Sequence, residues 1–86
     1  MRPLTLETAT PDLVGSRLFE GRTRTLAEVT AIDRWAEHLT LVPIRILATD
    51  EPERFPRGLI RDSARVFVDV KGSPWQILEP GEDPPD

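Results

Sequence analysis

Two stretches of this chain alternate apolar and polar side chains with a period of two, Ala27–Ile46 and Arg65–Leu78, and a turn-forming cluster interrupts each. Such alternation sets one side of an extended segment against a core and the other in water. The first stretch runs AEVTAID, then RWAE, then HLTLVPIRI; the second runs RVFVDV, then KGSP, then WQIL. Two hairpins are therefore predicted. The fold class that follows is mainly β: a small antiparallel, partly open β-barrel or β-roll.

The detail of the pattern sharpens that expectation. A short first strand, Ser16–Glu20, runs into Gly21-Arg22, and a strand over Thr25–Asp33 follows. In the returning strand His38–Leu47, Leu39 and Leu41 share one parity while Ile44 and Ile46 share the other. The spacing predicts a change of register at Val42-Pro43, because proline has no N–H for a ladder and marks a bulge or an edge. A strand that bends there can turn the corner of a small barrel. In the closing hairpin Val66, Val68 and Val70 share a face, the chain turns through Lys71-Gly72-Ser73-Pro74, and Trp75 and Ile77 return as core positions.

Helical structure is confined to short pieces. Thr10 as N-cap and Pro11 at the first position predict a single turn near residues 11–15, ended by Gly15. The connection Asp50–Arg61 breaks the β pattern with Pro52, Pro56 and Gly58. It has room for a turn of helix, with Phe55, Leu59 and Ile60 as apolar plugs.

At 86 residues the chain is one domain, and a core of this size leaves a modest margin of stability. There is no Cys, which excludes disulfides and thiolate metal sites. The N-terminal residues lack the apolar core of a signal peptide, and no apolar run approaches a membrane span, so a cytoplasmic protein without membrane contact is expected. Of the 15 acids, Glu79, Glu82, Asp83 and Asp86 fall in the final EPGEDPPD, and the remaining acids equal the 11 Lys plus Arg in number. The net charge of −4 thus belongs to residues 79–86, read as a disordered, acidic, Pro-rich tail on a neutral domain spanning residues 1–78. That tail is either a solubilising terminus or an acidic peptide that meets a basic partner. The absence of Asn and the excess of Arg over Lys suit a thermophile or a GC-rich genome.

Candidate chemistry is sparse. His38 is the single histidine, no Cys or Tyr is present, and no spacing sets His38 beside a serine and a carboxylate. No catalytic residue, cofactor or metal ligand is assigned, and the chain is expected not to be an enzyme. Asp50, Glu51 and Glu53 form a solvated acidic loop without the oxygen pattern of a calcium site. Arg54, Arg57, Arg61 and Arg65 recur at three- and four-residue spacing, while Arg22 and Arg24 alternate near the first turn. Guanidinium groups on one face can fork onto phosphates or carboxylates. Arg22, Arg24, Arg57 and Arg61 are accordingly the candidate contacts to RNA or DNA, with Trp35 or Phe55 for stacking. The neutral body instead favours arginines paired with their own acids. Trp35, in the DRWAE turn, either anchors a partner or covers the open end of the barrel.

The stretches ATPDLVGSRLFEG, AEVTAID and FPRGLIRDSARVFVDV together cover about half of the chain and resemble the PRC-barrel domain. They match its opening turn, its strand ending in Asp, and its segment of proline, apolar residues and closing strand. Thr25-Leu26-Ala27 stand where that family usually carries glycines, and Tudor-like barrels share much of the pattern. The resemblance implies a non-enzymatic adaptor that docks on proteins or ribonucleoproteins. The leading expectation is therefore a binding module for a protein partner or for itself, through Trp35, Phe55, Arg54, Arg57, Arg61 and Arg65. The alternatives are a nucleic-acid accessory domain and a subunit of a larger enzyme or assembly.

Overall fold

The structure, a computed structural model, describes residues 1–54 and 64–85. Its strands are β1 (Arg2–Pro3), β2 (Arg17–Glu20), β3 (Thr25–Val29), β4 (Asp33–Ala36), β5 (Leu39–Ala48), β6 (Arg65–Val68) and β7 (Trp75–Ile77). Short 3-10 turns occupy Pro11–Leu13 and Pro52–Arg54, in agreement with both helical expectations. The strands form one antiparallel sheet in the order β1-β7-β2-β3-β5-β4, with β6 also paired to β5. It curls into an open half-barrel, the mainly β class that the alternation predicts. No helix among the described residues is long and apolar enough to cross a membrane.

The long strand β5 joins two halves of this sheet. Its C-terminal part pairs with β3, Val29 opposite Ile44 and Ala27 opposite Ile46. Its N-terminal part pairs with β4, Asp33 opposite Leu41, and with β6, Val42 opposite Val66. Thr40, Val42, Ile44 and Ile46 are all buried, so one parity faces inward along the whole strand. They meet Leu18, Ala27 and Ile77 from one half and Val66 and Val68 from the other, with Leu4 and Leu13 packed in from the N-terminal segment.

This arrangement corrects the predicted change of face at Val42-Pro43. The register between β5 and β6 passes through Val42 and Pro43 without a break, and the irregularities lie at Leu26/Ala27 and Arg34/Ala36 on neighbouring strands. Thr40, polar but fully buried, belongs to the inward series, and Leu41 is buried on the opposite face. Pro43 is tolerated because of where it sits. Its carbonyl accepts the Thr30 N–H at 3.0 Å and the Thr30 hydroxyl at 3.1 Å, at the gap between β3 and β4. Within a strand residue the N–H and C=O point the same way, so the missing donor faces a gap rather than a ladder partner.

Two further expectations about hairpins change. The segment DRWA is not a turn but strand β4, and the reversal falls at Glu37-His38. The predicted strand Thr25–Asp33 is instead split at Thr30–Ile32. The second stretch is not a hairpin at all: β6 pairs with β5, whereas β7 pairs with β1 and β2. The chain reverses at Val70-Lys71, closed by a bridge between Asp69 and Gly72, and Gly72 has a φ of 82°, which favours glycine. Beyond it Ser73 Oγ donates to the Leu4 carbonyl at 3.0 Å, and Leu4 N–H donates to the Trp75 carbonyl at 3.1 Å. These contacts draw the chain to β1 instead of back along β6. Val70 therefore leaves the Val66/Val68 face and is exposed, while Trp75 is buried as predicted.

Candidate docking face on the β4–β5–β6 half

Directly opposed residues of an antiparallel pair share a face. Val66 and Val68 lie in the core, so Phe67 points outward, opposite Leu41 of β5. Asp33 of β4 opposes Leu41 from the other side, which makes Asp33–Leu41–Phe67 one row across three strands on the outer surface. Arg65 joins this face two positions along, opposite Pro43. Leu39 opposes Ala36, and Trp35 is the extra residue of a bulge beside that pair. A bulge re-aims the side chain it carries. Trp35 is 68% exposed and Phe67 65% exposed, whereas Leu41 between the strands is 4% exposed. Two large aromatic side chains thus stand in solvent around a covered leucine.

The predicted site residues separate on this framework. Trp35 and Arg65 lie on or beside the outer face of this half. Arg54 closes the 3-10 turn Pro52–Arg54. Phe55, Arg57 and Arg61 lie outside the described residues, as do the plugs Leu59 and Ile60. Arg22 and Arg24 sit at the β2–β3 turn in the other half, so the structure does not bring them to Trp35. Nor do they alternate along an extended chain, because Arg24 has a φ of 50°, in the left-handed region. Each has an acid of its own: Arg22 Nε lies 3.8 Å from Glu20, and Arg24 Nε lies 3.4 Å from Asp50.

Phe67, Leu41 and Asp33 went unassigned in the sequence. The available signal was Phe67 itself, an aromatic at the outward parity of RVFVDV between two valines that had to be inside.

The remaining polar groups build structure. Glu20, nearly buried, accepts the Thr23 hydroxyl at 2.8 Å and the Arg22 N–H at 2.7 Å, and the hydroxyl chain continues from Thr23 through Thr25 to Thr49. His38 is exposed in the β4–β5 turn and lines a shallow concavity with Leu6, Glu7 and Arg34. The Glu7 carboxyl is held below its ordinary value by a backbone hydrogen bond and by Thr5. Among the described residues no three His, Asp or Glu side chains converge as metal ligands.

Residues Glu79–Pro85, read from composition as a disordered tail, make specific contacts. Arg2 Nε meets Glu79 at 2.9 Å, the N-terminal ammonium meets Glu82 at 2.9 Å, and Arg24 donates to the Pro85 carbonyl at 3.2 Å. Arg17 also donates to the Glu82 carbonyl. The Glu82 carboxyl is pulled below its usual range, first by the N-terminal ammonium and then by the Glu79 N–H. No family model, curated protein or solved structure matches the chain.

Proposed function

We propose that the chain is a non-catalytic binding module that docks on a protein through the outer face of the β4–β5–β6 half. The observation that carries this reading is the exposure of Trp35 at 68% and Phe67 at 65% around one row of a small sheet. Exposed aromatic side chains over a covered apolar base are the usual energetic centre of a protein interface. The edge position of β4 adds unpaired backbone groups beside Trp35. The resemblance to the PRC-barrel domain points the same way, towards an adaptor.

The test is capture from the native host with immobilised wild type, Trp35→Ala and Phe67→Ala. Loss of the same bound protein by both variants supports the reading. Retention of every bound protein by both variants removes it.

A further inference from the structure

We propose that the occupant of this face is a second copy of the chain, packed face to face about a two-fold axis so that Asp33 of each copy meets Arg65 of the other. The proposal rests on the docking reading and names its partner.

The register supplies the geometry. Asp33 and Arg65 lie on the same outer face, on strands flanking β5, and are offset by the two residues between Leu41 and Pro43. Two strand spacings across and two residues along place them about 12 Å apart on a diagonal. Leu41 and Phe67 fill the space between them. An acid and a base at opposite ends of an apolar strip form a self-complementary pattern. A two-fold axis lying in the interface, across the middle of that diagonal, sets each acid over the partner's base and brings the two apolar strips together.

The charges on this face are also available. Arg22, Arg24 and Arg45 each have a carboxylate of their own chain within 4 Å, at 3.8, 3.4 and 2.6 Å. Asp33 and Arg65 are exposed and have neither an ion-pair nor a hydrogen-bond partner from their side chains among the described residues. Asp69, the next outward position after Phe67, accepts the Lys71 N–H at 2.9 Å, so Asp33 and Arg65 are the acid and the base left over on this face. A second copy carries the same pair. A patch of three short strands lies at the small end of specific interfaces, so association is expected in the weak range.

Sedimentation equilibrium of the full chain at concentrations up to about 1 mM tests the proposal. Wild type is expected to pass from monomer to dimer. Asp33→Arg and Arg65→Asp, both at exposed positions, are each expected to weaken dimerisation at least tenfold, with unchanged circular dichroism. The two variants mixed in equal amounts are expected to associate again, because Arg at position 33 then faces Asp at position 65 at one end and the unaltered Arg65 faces the unaltered Asp33 at the other. A wild type that stays monomeric overturns the proposal. So does a single variant that dimerises as wild type does, or a mixture that fails to associate. A monomeric wild type whose captured protein is still released by Trp35→Ala and Phe67→Ala leaves the docking reading standing with a different chain as partner. A monomeric wild type with no such release removes both.

Discussion

Phe19 and Phe67 both point away from the core of the same sheet, yet Phe19 is 5% exposed and Phe67 is 65% exposed. The difference lies in what each half of the sheet has to cover its outer side. On the β2–β3–β7 half, the chain continues past β7 through Leu78, itself buried, into residues 79–85. Arg2, Arg17 and Arg24 tie that segment down, and Pro80 joins Arg17 and Arg45 around a groove on this side. On the β4–β5–β6 half Leu41 is covered, but Phe67 and Asp33 on either side of it are exposed. Phe19 is thus covered within the chain, and Phe67 stands in solvent. Composition cannot see this distinction, since both halves carry phenylalanine at an outward position.

The sharpest way to break the comparison is to truncate the two phenylalanines. Phe19→Ala is expected to lose about 3–5 kcal/mol in urea unfolding, and Phe67→Ala to stay within about 0.5 kcal/mol. Equal losses would show that the two outer faces are covered alike.

A smaller effect is expected where a polar group, rather than a ring, is covered. Glu20→Ala leaves the Thr23 hydroxyl and the Arg22 N–H without their acceptor and should cost about 1–3 kcal/mol. Asp33→Ala, on the open face, should leave the unfolding midpoint unchanged at monomeric concentrations. A loss at Asp33 as large as that at Glu20 would place Asp33 in an internal network.

Acid should act on the contacts of residues 79–85. The Glu82 pKa is depressed in the folded chain, so its contribution is present above the unfolded value and is lost as pH falls through the folded one. From about pH 4.3 downward the contacts of residues 79–85 should loosen. Amide exchange at Glu79 and Glu82, taken relative to the intrinsic rate at each pH, should then accelerate while β4 amides keep theirs. Glu82→Gln should show the faster exchange already at neutral pH. Simultaneous acceleration in both regions would mean that the covering segment and the open half respond as one unit.

The mildest change, Trp35→Phe, should leave stability within about 0.5 kcal/mol. In dilute solution it should remove most of the acrylamide-quenchable fluorescence, leaving that of Trp75, which is 9% exposed. Quenching that survives the substitution would place Trp75 in solvent.

Much of the fold was legible along the chain. Period-two alternation identified the β class, the inward valines of β6, and Trp75 and Ile77 as core positions. Pro11 marked its 3-10 turn. The failures have specific causes. Thr40 is polar, so hydrophobicity hides its place in the inward series of β5, and Leu39 and Leu41 on the other parity mimic a change of register. Val70 fits the alternation of β6 but falls beyond Val68, where the Asp69–Gly72 bridge turns the chain. The RWAE cluster is polar enough for a turn, yet it gains a ladder along β5 and extends as an edge strand. Of the candidate site, Trp35 and Arg65 were legible. Their relation to Asp33, Leu41 and Phe67 was not, because it depends on register across three strands.

Sequence alone determined that the segments of β2, β3, β5, β6 and β7 extend and most of the side chains that enter the core, since each strand's own alternation goes far to divide its faces. Only the tertiary structure decided that β6 and β7 part company and that β5 is shared between halves. Backbone hydrogen bonds are nearly blind to side-chain identity, so neighbours in sequence gain no automatic right to pair, and contacts such as Ser73 to Leu4 choose the partner. It also decided which outward phenylalanine is covered, because burial depends on what packs over a residue and not on its place in the alternation.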